Sequence, residues 1–297
     1  MKTSPELEQH ILKLINLGYT SREVAAITGV GKSTVNDIRN RNKSAITNEN
    51  HPRILFLDIE TAPSVGVTFD RWNASFTRKH ILREGGWLIT AAWSWLGEDE
   101  IYGAAVTCND AQSSDDIYVV ENLLEVIEEA DIVVGHYIKK FDLPTIRARC
   151  LINGLHDIKP VKIVDTCELA KSMKFNTNKL DDLCSYLGIE QEKLPTDITL
   201  WVDCVNGKQS AIDKMLEYNK QDIVLQKLLY ERLKGFDRKS PNIGVIKNTF
   251  CCPACGSENV TSTGNSVFHS QTQYNEYFCD DCGKRSRTNK KGNFLIN

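Results

Sequence analysis

Residues 53–63 have the sequence RILFLDIETAP, and this stretch decides the predicted fold. The apolar run over residues 54–57 is typical of a buried β-strand. Because side chains alternate between the two faces of a strand, Asp58 and Glu60 lie on the same face, about 7 Å apart along the strand. Two carboxylates on one face of a core strand are costly unless a cation neutralises them. A strand end that dips into solvent is the alternative, and it explains one acid more readily than two.

The sequence that follows predicts a mixed sheet flanked by helices, an α/β fold class. WLITAAWSWLG and IYGAAV predict a hairpin of two strands, and DIVVGH and KIVDT predict two more. Amphipathic patterns predict helices between and after these strands, and the last, SAIDKMLEYNKQDIVLQKLLYERL, is the longest.

Two further acids are notable for their placement. Asp142 follows DIVVGH at the start of a predicted helix, and Asp222 lies in the long helix four residues after Tyr218, so that both side chains share one helical face. Taken alone, Asp142 could be a helix N-cap and Asp222 a solvated acid. Together with Asp58 and Glu60 they predict a site of four carboxylates.

Three segments that contain these acids, FLDIET, GHYIKKFD and YNKQD, resemble the three motifs of the DEDD 3′–5′ exonucleases of the ribonuclease H-like superfamily. The Tyr-x3-Asp spacing of the third motif is that of the tyrosine subclass. The resemblance spans about residues 53–235, and KIVDT and NKLDDLCSYLG are similar to the phage and bacterial branch. One departure is Tyr137, which stands four residues before Phe141 where the family usually has Asn.

The resemblance implies phosphodiester hydrolysis with two Mg²⁺ or Mn²⁺ ions. Such ions, about 4 Å apart, activate water and stabilise charge on the phosphate, and they prefer carboxylate oxygens. By motif, Asp58 would bridge both ions, and Glu60 and Asp222 would hold the ion that activates water. Asp142 would help to hold the other ion, and Tyr218 would orient the attacking water, since a phenol with a reference pKa of about 10 is a poor base.

Other polar and aromatic residues of the middle segment have simpler interpretations. We expect His136 to form local hydrogen bonds, and Asp165 and Asp182 to be helix-capping or surface acids. Trp93 and Trp95 share a strand face, where they could stack on bases or belong to the sheet core.

Residues 1–42 have the pattern helix, short helix, glycine turn and helix, which resembles the trihelical DNA-binding units of recombinases and sigma-like factors. A small bundle that docks on protein is the alternative. We expect Val24, Ala25 and Ile27 to form the apolar face of the second helix. On the resemblance to a helix-turn-helix, the residues that project toward a DNA groove are Lys32, Ser33, Thr34, Asn36 and Arg39. Residues 43–52 are polar and unpatterned, which predicts a linker.

Five of the ten cysteines are packed into residues 251–282. CCPACGSEN and FCDDCGKRS place four of them, Cys252, Cys255, Cys279 and Cys282, in two CxxC knuckles separated by 23 residues. This spacing predicts one structural Zn²⁺ with four thiolate ligands, and residues 248–297 resemble a zinc ribbon. Cys251 is the neighbour that could be confused with Cys252.

The overall charge at first argues against a nucleic-acid partner, because 36 basic and 39 acidic residues give a net charge of −3. The acid is concentrated in residues 51–250, which carry 30 acidic and 24 basic side chains. An acidic core that holds cations between two mildly basic ends is compatible with a nuclease.

The predicted partner is therefore nucleic acid, with DNA favoured and RNA as the alternative, and the sequence does not identify protein partners. No stretch approaches 18 consecutive apolar residues, so no membrane association is expected, and the predicted location is the cytoplasm of a bacterial cell, with a phage gene as the source.

Two other functions are compatible with this organisation. A transposase or resolvase also joins a helix-turn-helix to a ribonuclease H-like core, but with a different arrangement of acids. A DNA-binding regulator could have lost its nuclease activity, although all four acids and Tyr218 are present.

Overall fold

A computed structural model of the chain describes residues 4–16, 21–41, 52–69, 77–189 and 196–297. The chain divides into two units. The first comprises Met1–Arg53, Glu129–Ile132 and Glu231–Asn297, and the second comprises Ile54–Glu128 and Val133–Tyr230. The predicted linker over residues 43–52 lies outside the described residues except for Pro52.

Three N-terminal helices, α1 (Pro5–Asn16), α2 (Ser21–Thr28) and α3 (Lys32–Arg41), pack around a small apolar core. Val24, Val35 and Ile38 are fully buried in it. The expectation that Ile27 also faces this core was wrong, since its side chain is 53% exposed. The buried face of α2 is centred on Ser21 and Val24, and the helical turn of about 100° per residue carries Ile27 away from it.

The second unit is built on a five-stranded sheet in which the strand bearing Asp58 and Glu60 is central. Its order is β5-β4-β1-β6-β7, and β4 is antiparallel to both β1 and β5. A separate two-stranded ribbon is formed by β2 and β3. The strands are β1 (Ile54–Thr61), β2 (Val65–Gly66), β3 (Ile81–Arg83), β4 (Leu88–Trp95), β5 (Tyr102–Ala105), β6 (Ile132–Gly135) and β7 (Lys162–Asp165). The predicted hairpin and strands are confirmed.

Burial explains why β1 and β4 form the middle of the sheet. Residues 54–57 of β1 and all eight residues of β4 are buried, so both faces of the sheet are covered at this point. Trp93 and Trp95 are 0% and 4% exposed, which places them in the sheet core. Neither ring is therefore available to stack on a base. The register sets Glu60 opposite Thr90.

Within the described residues, seven helices follow, and they flank the sheet as the α/β prediction requires. They are α4 (Cys108–Ser113), α5 (Ile117–Glu129), α6 (Asp142–Ile152), α7 (Thr166–Met173), α8 (Leu180–Tyr186), α9 (Ile198–Val205) and α10 (Gln209–Leu233). The predicted fold class, a mixed sheet flanked by helices and consistent with a ribonuclease H-like fold, is confirmed.

The long helix α10 packs by a stripe of buried residues at intervals of three or four positions. The stripe consists of Ile212, Met215, Asn219, Ile223, Gln226, Leu229 and Leu233. The helix approaches β5 so closely that a Cβ atom at Gly103 would lie 2.7 Å from the Leu216 side chain. Two members of the stripe, Asn219 and Gln226, are polar, and both are 0% exposed.

The C-terminal residues form a short helix, α11 (Ile243–Lys247), and a four-stranded antiparallel sheet in the order β11-β10-β9-β8. Its strands are β8 (Val260–His269), β9 (Thr272–Cys279), β10 (Arg285–Thr288) and β11 (Leu295–Ile296). Strand β9 has the sequence TQYNEYFC and ends at Cys279 of the second knuckle. Among the described residues, no helix is long and apolar enough to cross a membrane.

Candidate catalytic and metal-binding sites

Strand β1 and helix α10 bring three carboxylates together. Asp58 and Glu60 project from the same face of β1 because Ile59 between them turns into the core, where it is 3% exposed. Asp222 reaches them from α10, and carboxylate oxygens of the three side chains all lie within 4.8 Å of one another. Side chains spaced at about 7 Å along the strand thus converge at their tips.

The fourth predicted acid, Asp142, lies at the start of α6 and is 3% exposed. Its carboxylate accepts a hydrogen bond from the backbone N–H of Ile59, which ties it to β1 between the two strand acids. Burial raises the pKa of Asp142 to about 7, because a desolvated carboxylate is less stable in its charged form. Asp142 lies outside the cluster of three carboxylates, but close enough for its charge to act on Asp58.

Asp58 is held by two amide side chains that sequence reasoning missed. Asn219 donates from Nδ2 to Oδ2 of Asp58 at 2.6 Å, and Gln226 donates from Nε2 to Oδ1 at 2.8 Å. The Thr90 hydroxyl in turn donates to Oδ1 of Asn219 at 3.1 Å. Polar residues at core positions of α10 were the available signal, since a buried amide needs partners.

Electrostatic repulsion makes this cluster suited to a cation. The pKa of Asp58 is well above its usual value, first because of burial and then because of the charges of Asp142, Asp222 and Glu60. A divalent cation would remove that repulsion, and a set of carboxylate oxygens is the donor set that Mg²⁺ and Mn²⁺ prefer. The residues present therefore fit a hard divalent metal.

Tyr218 lies one turn before Asp222 on α10 and is partly buried. Its ring makes an edge contact with Trp201 of α9, with centroids 6.2 Å apart and planes at 72°. Trp201 also lines a cavity of about 460 Å³ beyond the end of β1, together with Thr61, Ala62, Pro63, Thr196, Asp197 and Ile198. This cavity therefore adjoins the tyrosine.

Asp165 has a larger structural role than a simple cap. It is the N-cap of α7, accepting from the backbone N–H groups of Cys167 and Glu168, and it also accepts from those of Tyr137 and Lys139. These bonds fix the loop that leads into Asp142. Asp182, by contrast, is exposed in the first turn of α8, as predicted.

The loop between β6 and α6 contains a backbone conformation that explains one feature of the sequence. Tyr137 has φ of 67°, in the left-handed region that Asn adopts more readily than Tyr. The Asn usual at this position in the resembled family suits that backbone. His136 bonds the Thr166 hydroxyl and the Asn178 carbonyl, in agreement with the predicted local role.

The four predicted zinc ligands form a second cluster. Their sulfur atoms all lie within 4.8 Å of one another, with Cys252 and Cys282 3.6 Å apart and Cys255 and Cys279 3.7 Å apart. Contacts with the other sulfurs lower the pKa of Cys252 to about 4 and raise that of Cys282. Cys251 is buried but outside this group. Four thiolates at tetrahedral spacing fit Zn²⁺.

The two knuckles have the same backbone geometry. Gly256 and Gly283 follow the second cysteine of each knuckle with φ of 74° and 72°, and each donates its N–H to the carbonyl of the first cysteine at 2.9 Å. Only glycine adopts this region without strain, which explains the Cys-x-x-Cys-Gly pattern.

The predicted DNA-contacting residues lie along α3, from Lys32 at its start to Arg39 in its last turn. Ser33 is exposed, and Lys32, Thr34 and Asn36 are partly buried. The side chain of Arg39 lies outside the described residues. Gly29 closes α2 with φ of 69° and donates to Ala25, so the two helices are joined by a tight turn.

Comparison with known proteins finds a family model that matches the middle of the chain. Residues 88–234 match a family model described as RNase_H superfamily, a range that includes Asp142, Tyr218 and Asp222. This match supports a nuclease, and Asp58 and Glu60 precede the matched range.

Among solved structures, the chain is similar to the family B DNA polymerase from the hyperthermophilic archaeon Pyrobaculum calidifontis, at 14% sequence identity and a TM-score of 0.46. The similarity covers 66% of this chain and 27% of the polymerase chain. No curated protein matches the sequence.

Proposed function

We propose that the chain is a metal-dependent 3′–5′ exonuclease that hydrolyses phosphodiester bonds of nucleic acid, with DNA preferred to RNA. The observation that carries the proposal is the convergence of Asp58, Glu60 and Asp222 within 4.8 Å, with Asp142 bonded to the same strand. The ribonuclease H superfamily match supports nuclease chemistry, and the order of the three motifs favours the exonuclease over a transposase.

The metal-binding role falls to the four carboxylates. Two bound Mg²⁺ or Mn²⁺ ions would supply an activated water and charge stabilisation at the phosphate. Asp58, Glu60 and Asp222 provide the clustered ligands, and Asp142 contributes from α6. Asn219 and Gln226 each occupy one lone pair on an oxygen of Asp58, and one lone pair on each oxygen remains available for a metal.

Tyr218 orients the attacking water in this proposal. Its ring is held by the edge contact with Trp201, so the hydroxyl has a defined position one helical turn from Asp222. The cavity beside Trp201 accommodates the 3′-terminal nucleoside, because it lies where β1 ends and next to the tyrosine.

The test is a cleavage assay with 5′-labelled single- and double-stranded DNA and RNA in Mn²⁺. We expect a ladder that shortens from the 3′ end, and its loss in Asp58→Ala. Asp213→Asn is the control, because Asp213 is an exposed acid on the same helix. Internal cuts or strand joining would support the transposase or resolvase instead, and no cleavage with any divalent metal would support the non-catalytic regulator.

We also propose that α1–α3 form a helix-turn-helix that binds duplex DNA through Lys32, Ser33, Thr34, Asn36 and Arg39. The support is the buried side of α3, where Val35 and Ile38 fill the trihelical core and leave Ser33 exposed. Lys32→Ala should weaken duplex binding in a salt-dependent manner, whereas Asp37→Asn, on the same helix, should not. Equal duplex affinity in Lys32→Ala and the unchanged chain would reject a DNA-binding role for this residue.

The proposed domain limits remain those predicted: residues 1–42, a linker over 43–52, the exonuclease domain over 53–237 and a zinc ribbon over 248–297. Limited proteolysis tests them, with first cuts expected within 43–52 and within 238–241, before α11 begins. Cytoplasmic location and a phage source also remain predictions, and a genomic neighbourhood without phage genes would count against the latter.

A further inference from the structure

The C-terminal unit contains a groove of about 640 Å³ whose lining is strongly basic. It lies between the 3₁₀ turn Lys234–Phe236 and strand β10. The charged side chains of its lining are four cations and one carboxylate: Arg238, Lys284, Arg285, Arg287 and Glu276. We propose that this groove binds single-stranded nucleic acid, through contacts to phosphates and stacking on Phe236, in addition to the carboxylate site.

The two strand arginines are arranged to present donors to one side. Arg285 and Arg287 project from the same face of β10, while Ser286 between them is 5% exposed on the other face. The guanidinium of Arg287 lies 4.5 Å above the ring of Tyr274, and that of Arg285 is 3.4 Å from Glu276. Both guanidinium groups are therefore held near their binding positions, which lowers the entropic cost of engaging phosphate oxygens.

The walls of the groove are fixed before any ligand binds. Lys284 is 3% exposed, and its ammonium group donates to the carbonyl of Asp237, which ties β10 to the segment after the 3₁₀ turn. A Cβ atom at Gly235 would collide with the carbonyl oxygen of Cys282, so the turn lies directly against the second cysteine knuckle. Lys284 thus supports the groove, and the arginines remain as phosphate donors.

Phe236 indicates that the ligand has unpaired bases. Its side chain is 63% exposed and lines the groove among the arginines. An exposed aromatic ring beside cations is the arrangement that binds single strands, because an unpaired base offers its face for stacking while a paired base does not. An acidic peptide would satisfy the arginines but would leave the phenyl ring unused.

The test measures binding of labelled 12-nucleotide dT and U strands by fluorescence anisotropy. The full chain carries Asp58→Asn and Asp222→Asn, so that binding is measured without cleavage and is independent of the proposed exonuclease activity. Adding Arg285→Gln with Arg287→Gln should weaken binding at least about tenfold. The slope of log K against log salt concentration should become shallower by about 1.4, the contribution of two phosphate contacts. Adding Lys290→Gln with Lys291→Gln, the same charge change on exposed residues outside the groove, should have little effect.

Phe236→Ala tests the stacking. It should weaken binding of the dT strand about tenfold. Binding of an abasic strand of equal length should not change, because that strand has no bases to stack on Phe236. All variants are compared at a zinc content of one per chain. If the variant with Arg285→Gln and Arg287→Gln loses zinc, it is replaced by one with Arg285→Lys and Arg287→Lys. That pair should also weaken binding, since lysine cannot form the bidentate contact.

Three results would overturn the proposal. The first is an equal loss of affinity in the Arg285/Arg287→Gln variant and in the Lys290/Lys291→Gln control. The others are an affinity for duplex, or for polyglutamate, equal to that for the single strand. Preference for the dT or the U strand distinguishes DNA from RNA. Failure of the wild-type chain to hydrolyse any nucleic acid would reject the exonuclease, and it would leave the groove measurements unaffected.

Discussion

Each carboxylate oxygen of Asp58 accepts one amide hydrogen bond from α10, at 2.6 Å from Asn219 and 2.8 Å from Gln226. A carboxylate oxygen has two lone pairs, so one on each oxygen is still available. The amides therefore fix the rotation of the carboxylate without blocking a metal. Substitution of a residue that orients a metal ligand in this way typically lowers metal affinity or activity by about 10- to 100-fold.

Asn219→Ala should raise the Mn²⁺ concentration needed for half-maximal hydrolysis by about 10- to 100-fold, because Asp58 loses one of its two restraints. A Mn²⁺ titration of the cleavage rate measures this. Glu217→Gln, an exposed acid two residues away on the same helix, is the control and should change the midpoint by less than about twofold. An unchanged midpoint in Asn219→Ala would show that the amide does not position Asp58 for metal.

At this scale the sequence predicted the acids of the cluster better than the residues that support them. The alternation of Asp58 and Glu60, and the spacing of Tyr218 and Asp222, were sufficient to place the acids. Asn219 and Gln226 were not found, because their role depends on which face of α10 meets the sheet. Their positions in the stripe that also contains Met215 and Ile223 could have identified them.

The two cysteine knuckles are the element for which spacing alone was most informative. Each consists of a tight turn that ends in a left-handed glycine, so the sequence pattern determines the local backbone. Which of two adjacent cysteines is the ligand could not be decided by spacing with the same certainty. The structure places Cys252 in the sulfur cluster and Cys251 outside it.

Cys252→Ser should therefore lose zinc, and Cys251→Ser should keep about one zinc per chain. The paired variants differ by one position and remove the same atoms, so a general effect of losing a buried thiol cancels. Metal content after purification in a thiol-containing buffer measures the difference. Equal zinc in the two variants would reject the assignment of Cys252 as a ligand.

For the whole molecule, the buried acids link stability to pH and to metal. The pKa of Asp142 is raised to about 7 by burial, so the folded state binds this proton more tightly than the unfolded chain does. The contribution of this group to stability is fully present below about pH 4, its unfolded pKa, and is lost as the pH rises toward 7. A net charge of −3 conceals this, because the charge count does not distinguish buried from exposed acids.

Asp142→Asn should accordingly gain stability relative to the unchanged chain between pH 4 and pH 8, by about 1–4 kcal/mol, when Mg²⁺ and Mn²⁺ are absent. Urea unfolding at several pH values measures this difference. Added Mn²⁺ should stabilise the unchanged chain more at pH 8 than at pH 5, since metal competes with the proton. A stability difference that does not vary with pH would contradict the prediction.

The organisation of the whole molecule was predicted in outline from the composition, but the burial of individual side chains was not. The sequence indicated an acidic middle and two cysteine- or helix-rich ends. It could not show that Trp93 and Trp95 are buried in the sheet core, because the same alternation serves a core strand and a base-stacking surface. Nor could it show the basic groove, which is formed by residues from the turn after α10 and from three strands.

The left-handed backbone at Tyr137 has a consequence for how substitution data on this site should be interpreted. In a saturation library, position 137 should favour glycine and asparagine and disfavour valine and isoleucine, whatever their chemistry toward metal. The set of residues accepted at position 137 would therefore reflect the backbone torsion angle. The set rejected at Asp58 or Asp222 would instead reflect the need for a carboxylate. Sorting the variants by backbone preference first would separate these two signals within one mutational map.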